Sequence, residues 1–261
     1  MKKTLLTIIF LCLLSAPAFL NGQAPAKQMY YEIKVYRISQ ADQAVTIDKY
    51  LKDAFIPAMH RAGVYNIGVF KPVEADTAFG KLIYVFIPYE TADQYFKIID
   101  VLEKDQLYQQ AGKEFLDAPY NKPAFARYES IFMKAFKFMP QMKVFKYETP
   151  PSARIYELRS YESATETKAL NKIKMFNEGG EIAIFEKVGS NAVFYAQVLF
   201  GSQKPRLMYL TTYADMKSHD DHWNAFRVHP DWLSLKANPE YLNNTSKTKA
   251  FLCHPTDYSD F

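Results

Sequence analysis

An internal repeat at an offset of 125 residues constrains the fold of this chain more than any other feature. Residues 30–36 (YYEIKVY) match residues 155–161 (IYELRSY), and residues 81–85 match residues 206–210 at the same offset. Self-similarity at a fixed spacing indicates that one structural unit occurs twice. We therefore expect two halves with the same order of strands and helices.

The boundaries of these halves follow from proline. Residues 139–153 contain Pro140 and the pair Pro150-Pro151, which can continue neither a helix nor a central strand. This segment is predicted to be a linker between a first domain at 28–138 and a second domain at 154–258.

Each half is predicted to run strand, helix, strand, strand, helix, strand. In the first half Gly63 ends the first helix, and Thr91 with Gln94 has the spacing of a capping box before the second. Residues 179–188 align with residues 62–73 as the segment between matched strands. This order is typical of a ferredoxin-like α+β unit. Two such units in tandem can cover each other sheet against sheet, which predicts an intramolecular pair.

The first 22 residues have the features of a secretory signal. Two lysines precede the short apolar run Leu5–Leu14, and small residues follow, with Ala18 and Gly22 as alternative cleavage sites. The apolar run is far shorter than the ~20 residues needed to cross a bilayer. The protein is therefore expected to be exported, periplasmic or secreted, without stable membrane insertion.

Charge and missing motifs exclude several classes of function. The net charge of +4 falls to +2 without the signal, so a nucleic-acid partner is not expected. The sequence has no GxGxxG, P-loop, GxSxG or CxxC pattern. Cys253 would be the sole cysteine of the mature chain, which excludes an internal disulfide and is typical of a small buried hydrophobe.

The second half also carries a family resemblance. Residues 155–161, Trp223 through Phe226 and the segment His229-Pro230-Asp231-Trp232 resemble the Tyr-Glu-Leu-Arg-x-Tyr strand, Trp-x-x-Phe and Pro-x-Trp signature of NIPSNAP-domain proteins, in their secreted bacterial two-domain type. The first half keeps the strand but lacks the Trp pair. The resemblance implies that the tandem ferredoxin-like domains form an intramolecular dimeric α/β barrel. It implies no single activity, because barrel relatives include cofactor-free monooxygenases, haem-degrading enzymes and interaction proteins.

The first strand of each half offers a carboxylate, a cation and a phenol on one face. Because strand side chains alternate, one face of each strand is apolar and the other polar. We expect the apolar face to lie under the helices and the polar face to point between the domains. There it would form either an ion-paired seam or a polar ligand pocket. The predicted ligand-binding residues are Glu32, Lys34, Tyr36, Glu157, Arg159 and Tyr161.

A dense cluster of histidine, aspartate and aromatic residues spans 215–232. His219 and His222 are three residues apart on a predicted helix and are the candidate catalytic residues, as a general base or a haem ligand. With His229 or Asp215 they could also bind a metal, although no third ligand has a diagnostic spacing. The alternative is a helix packed by its aromatic side chains. Trp223, Phe226 and Trp232 either frame a pocket or only pack.

Two functions are compatible with these features. The first is small-ligand binding or assembly at the barrel interface, with no metal or cofactor and with self-association left open. The second is a cofactor-independent monooxygenase or haem-handling enzyme that uses His219 or His222.

Overall fold

The computed structural model describes residues 26–261. The predicted export signal at 1–22 lies outside the described residues and stays a prediction. No helix from residue 26 onward is both long and apolar enough to cross a bilayer.

Eight antiparallel strands close into one barrel. They are β1 (Tyr30–Arg37), β2 (Gly68–Pro72), β3 (Leu82–Tyr89), β4 (Arg127–Ala135), β5 (Ile155–Glu162), β6 (Asn191–Phe200), β7 (Arg206–Tyr213) and β8 (Lys247–Pro255). Around the barrel their order is β1-β3-β2-β8-β5-β7-β6-β4. Each strand therefore has two hydrogen-bonded neighbours, and the described part of the chain has no free sheet edge.

Helices cover the outside of the barrel. The first half has α1 (Ala41–Tyr50), a π-helical segment Leu51–Phe55, α2 (Ile56–Arg61), α3 (Ala92–Lys104), α4 (Gln106–Ala111) and α5 (Lys113–Leu116). The second half has α6 (Glu166–Asn177), α7 (Glu181–Lys187), α8 (Met216–Val228), α9 (Pro230–Ala237) and a 3-10 turn Pro239–Tyr241. The predicted cap of α3 is confirmed, since the Thr91 side chain accepts a hydrogen bond from the backbone N–H of Gln94.

The two halves have the same strand order, as predicted. The first contributes β4-β1-β3-β2 and the second contributes β8-β5-β7-β6, each the order of a ferredoxin-like unit. The halves meet at two seams, where β2 pairs with β8 and β4 pairs with β6. The predicted intramolecular α/β barrel is therefore confirmed.

The repeat is offset by 124 residues, and not by 125, on its second strand pair. Val35 pairs with Tyr84 in the first half, and the equivalent residue Ser160 pairs with Met208 in the second. Tyr84 therefore corresponds to Met208 and not to Tyr209. A shift of one residue exchanges the two faces of a strand, so Tyr84 lies inside the barrel and Tyr209 lies under the helices.

The predicted alignment of residues 179–188 was also wrong. Residues 181–187 form helix α7, and Gly180, at φ 86°, makes the turn between two helices. The residue equivalent to Gly63 is Gly189, because each has a positive φ (78° and 73°) and each bonds its N–H to the carbonyl three residues earlier. The prediction treated Gly179-Gly180 as the end of the helical region, whereas a second helix, α7, follows this turn.

Candidate functional site

The acid–base–tyrosine sets of both halves lie outside the barrel, under the helices. Tyr31, Ile33 and Val35 of β1 and Tyr156 and Leu158 of β5 point into the interior instead. The prediction that the charged faces meet between the halves was therefore wrong. The interior of the closed barrel is lined by apolar side chains, whereas the space under the helices supplies the donors that a buried carboxylate requires. The misplaced residues are Glu32, Lys34, Tyr36, Glu157, Arg159 and Tyr161.

The carboxylate of Glu157 is the centre of the second-half cluster. Glu157 is 3% exposed, and its Oε1 accepts a hydrogen bond from Arg159 Nη1 at 2.6 Å. Its Oε2 accepts a hydrogen bond from Trp223 Nε1, also at 2.6 Å. Burial alone would raise the pKa of Glu157, but its bonds with His219 and Arg159 outweigh burial and lower that pKa. Glu157 is therefore a charged and fully engaged group at neutral pH.

His219 lies between two carboxylates. Its Nε2 is 3.4 Å from Glu157 Oε2, and its Nδ1 is 2.9 Å from Asp220 Oδ1. The ring packs edge-on against Tyr213 at 5.0 Å. Burial lowers the pKa of His219, yet the hydrogen bonds to the two carboxylates prevail and raise it. The imidazole is placed to be a cation that joins α8 to β5.

Cations and aromatic rings pack together around this carboxylate. The Arg159 guanidinium lies 4.5 Å from the centre of the Trp223 ring and 5.5 Å from that of Tyr161. The hydroxyl of Tyr161 bonds that of Tyr209 at 2.8 Å. These contacts hold the guanidinium against the aromatic rings, while Arg159 Nε has no hydrogen-bond partner within residues 26–261.

Helix α8 presents the predicted stripe to the sheet. Its buried residues are His219, Trp223 and Phe226. The Phe226 ring lies 4.7 Å from the Trp232 ring, and the His222 ring lies 5.7 Å from Tyr213 at the edge of the stripe. The aromatic side chains of this segment pack together, while the catalytic roles of His219 and His222 and the ligand-binding roles of Trp223, Phe226 and Trp232 stay predictions.

The first-half set has different partners and a separate location. Glu32 accepts hydrogen bonds from Ser130 Oγ at 2.6 Å and from the Tyr89 hydroxyl at 3.1 Å. Lys34 Nζ lies 3.9 Å from Glu32 and 5.3 Å from the centre of the Phe55 ring. Each triad thus lies under the helices of its own half, and the two do not converge on one pocket.

The residues near His219 do not fit haem or a metal ion. Both of its nitrogens face carboxylate oxygens, so neither is available to bind iron. Between residues 26 and 261 no group of three or more histidine, cysteine, aspartate or glutamate side chains could hold a metal ion.

Side chains fill the barrel interior at one end. A void of about 10 Å³ remains among Ile33, Phe70, Tyr156 and their neighbours, which is about the minimum for one water molecule. Phe261 packs into this end, with its ring 5.7 Å from Phe70 and 5.8 Å from Tyr156. The buried thiol of Cys253 lines the same void, as expected for a small core residue.

The opposite end of the barrel is open. There, where β1 and β5 end, a cavity of about 230 Å³ enters the barrel. Its wall combines an apolar floor with a charged rim. We call this cavity the barrel mouth. It is lined by Val35, Arg37, Leu82, Tyr84, Glu129, Ile131, Leu158, Gln203, Arg206, Met208, Lys249 and Phe251.

Arg206 is the buried cation of the barrel mouth. Its side chain is only 5% exposed, and its Nη2 lies 3.6 Å from Glu129 Oε1. Its Nη1 makes long hydrogen bonds of 3.4 Å to Ser160 Oγ and 3.3 Å to Gln203 Oε1. Its Nε and Nη2 have no hydrogen-bond partner among the described residues. Burial lowers the pKa of Arg206, so the guanidinium is poorly solvated.

The sequence contained a signal for this site that the repeat alignment hid. Arg37 lies two residues after Val35, and Arg206 lies two residues before Met208. Each is a charge at the end of an apolar stripe of period two. Such an inward charge marks the rim of a barrel once the correct face is known. At an offset of 125 Arg206 is matched with Lys81, whereas at the structural offset of 124 it is matched with Leu82, which lines the barrel mouth.

The comparisons with known proteins identify a domain and a fold. The NIPSNAP family matches residues 156–260, and no curated protein matches the sequence. A candidate monooxygenase from Lactobacillus acidophilus shares 10% identity at a TM-score of 0.55, over 88% of this chain and 94% of that one. Another from Fusobacterium nucleatum shares 8% at 0.52, over 88% and 93%.

A NIPSNAP-like domain protein from Burkholderia xenovorans shares 20% identity over 41% of this chain and 89% of that one, at a TM-score of 0.37. At such identities the full-length structural likenesses show the barrel fold alone. The family match covers the second half, where the strand and tryptophan segments lie. The match therefore identifies residues 156–260, the second half of the closed α/β barrel, as a NIPSNAP domain.

Proposed function

We propose that this protein binds a small, partly apolar molecule at the barrel mouth. The observation that carries the proposal is the 230 Å³ cavity, which opens into a barrel that is otherwise filled. Ligand sites typically combine an apolar wall with a few well-placed polar groups. The barrel mouth has this composition, and its size is below that of pockets for drug-sized molecules. The ligand is therefore compact, on the scale of a single ring.

The walls of the barrel mouth are preorganised by the sheet. Tyr84, Leu158 and Met208 lie on strands that are hydrogen-bonded to a neighbour on each side. The register of the barrel therefore fixes their positions in the wall. A site built on strands requires little ordering when a ligand enters, which reduces the entropic cost of binding.

The proposal is tested by blocking the barrel mouth. Saturation-transfer NMR with benzyl alcohol and indole as probes should give signals with the unaltered protein. Leu82→Trp fills the rim from a partly buried position and should abolish them. The control Leu170→Trp, on the exposed face of α6, should leave them unchanged. Equal signals from all three proteins would refute binding at this site.

An enzyme that uses His219 has weaker support. The likeness to candidate monooxygenases shows the fold alone, and His219 is engaged by Glu157 and Asp220. The observation in favour is a histidine with a raised pKa beside a buried carboxylate, which could exchange a proton. If a substrate is found, His219→Gln and His222→Gln should each reduce its turnover. Unchanged turnover in both would remove these residues from the mechanism.

We also propose that residues 1–22 direct export. The basic start, the short apolar run and the small residues after it support this proposal. Mass spectrometry of protein from its native host should find a mature chain that begins after Ala18 or Gly22. An intact Met1 would contradict it.

A further inference from the structure

We infer that the ligand of the barrel mouth is a compact monocarboxylate, whose acid group is bound by Arg206 and whose apolar body lies on the floor. The inference rests on the proposed function, since it names the chemical class that this same site would accept. It is carried by the unmet hydrogen-bonding capacity of a buried guanidinium at the rim of an apolar cavity.

Arg206 has donors to offer. Only 5% of the Arg206 side chain is exposed, yet its Nε and Nη2 lack hydrogen-bond partners within residues 26–261. A buried charged donor without a partner is costly, and a bound acceptor removes that cost. Because guanidinium donors form a planar fork, a carboxylate is the acceptor that matches two of them at once.

The charge of the lining also favours an anion. Arg37, Arg206 and Lys249 line the barrel mouth, and Glu129 is the only carboxylate among its lining residues. The two nearby acids are engaged already. Glu129 lies 3.6 Å from Arg206 and accepts from the backbone N–H of Ser202, and Glu162 lies 3.0 Å from Lys249. Cations therefore outnumber carboxylates among the lining residues by three to one, which favours an anionic ligand.

The depth of the residues sets the orientation of the ligand. Inward positions on a strand are two residues apart, so Met208 lies one step deeper than Arg206 on β7. Tyr84 and Phe251 provide aromatic walls, with ring centres 5.6 Å apart. An apolar ring can lie among these side chains while the acid group stays at the rim beside the guanidinium. Such burial of the apolar part selects against small inorganic anions.

Benzoate and benzamide test this inference, because they have nearly the same shape and differ in charge. Titrations at pH 7.5 should show that benzoate binds at least tenfold more tightly than benzamide. Arg206→Gln should weaken benzoate binding at least tenfold and leave benzamide nearly unchanged. Arg61→Gln, which removes an arginine paired with Asp105 outside the barrel mouth, is the matched control and should have no effect.

Arg37→Gln supplies a second variant in case Arg206→Gln does not fold. Arg37 is exposed at the rim, so its replacement should preserve folding and weaken benzoate a few-fold. The inference is overturned if Arg37→Gln and Arg206→Gln both bind benzoate as the unaltered protein does. It is also overturned if sulfate competes as well as benzoate, since the apolar floor would then contribute nothing.

The outcomes also separate this inference from the proposed function. If benzoate and benzamide bind equally and Leu82→Trp abolishes both, the barrel mouth is a binding site without preference for acids. If neither probe binds, and benzyl alcohol and indole do not bind, the proposed function itself fails.

Discussion

The two halves of the barrel share a strand order but differ in what lies beneath their helices. Lys172 and Glu181 form a buried ion pair at 2.7 Å in the second half, with side chains 6% and 2% exposed. The equivalent positions in the first half are Ile47, seven residues after the helix N-cap, and Phe55, eight residues before the glycine that ends the helix. Both are buried and apolar.

This difference shows that the scaffold does not require charge at these positions. The first half closes the same space with two hydrocarbon side chains, so the ion pair of the second half is a local feature of one half. A buried pair often contributes little net stability, because desolvation opposes the attraction between its charges. The rings of Phe176, Tyr161 and Trp232 surround Lys172 and are part of the same arrangement in the second half.

Breaking the ion pair should have the largest effect. Lys172→Ile leaves Glu181 buried without its partner, and we expect the free energy of unfolding to fall by about 3–5 kcal/mol. Chemical denaturation of the variant and of the unaltered protein measures the difference.

The double variant Lys172→Ile with Glu181→Phe copies the first half. It should recover most of the lost stability, because no buried charge remains. A double variant as unstable as Lys172→Ile alone would show that the two helix layers are not interchangeable at these positions.

Replacing the two buried glutamates, Glu157 and Glu32, by glutamine should lower the free energy of unfolding by different amounts, and this difference is of intermediate size. In Glu157→Gln the new amide N–H₂ must face either Arg159 or Trp223, which can only donate hydrogen bonds. In Glu32→Gln it faces Ser130 or Tyr89, whose hydroxyls can turn and accept. We expect Glu157→Gln to cost about 3 kcal/mol and Glu32→Gln about 1 kcal/mol. Equal costs in thermal or denaturant unfolding would contradict this reading of the hydrogen bonds.

The smallest effect concerns pH and His219 of α8, because α3, the corresponding helix of the first half, contains no histidine. The pKa of His219 is raised in the folded chain, so its contribution to stability is complete below the ordinary histidine pKa of about 6.5. That contribution is lost as pH rises through the folded value. The stability difference between the unaltered protein and His219→Gln should therefore be largest near pH 6 and shrink toward pH 9. Equal stability differences at pH 6 and pH 9 would contradict this expectation.

The architecture could be predicted from the sequence because the repeat indicates two units with the same order of strands and helices. The motif around Glu32 and Glu157 located both first strands, and Thr91 located a helix start. Period-two alternation separated the two faces of each strand correctly. It could not tell which face is inside, because both faces are buried in a barrel that helices cover. One partner that stabilises Glu157 outside the barrel, Trp223, comes from α8, 66 residues away in the sequence.

The barrel mouth could not be found in the same way. Its residues come from six strands, and only their register brings Arg37, Arg206 and Lys249 to one rim. The alignment of the second strand pair was shifted by one residue, so Arg206 was matched with Lys81 and not with Leu82, which lines the barrel mouth. The alternation of side chains within one strand can be predicted without knowing the register between strands. A site that is assembled from several strands cannot be predicted without that register.

The two seams also determine when the fold can be completed during synthesis. The β2 strand of the first half waits for β8, whose last residue is Pro255, and β4 waits for β6. A growing chain that ends near residue 150 already has both partners of β1 but exposes β2 and β4 as unpaired edges. Unpaired edges attract other strands and promote aggregation. A chain of which only the first half is free to fold is therefore the form of this protein most exposed to edge-to-edge aggregation.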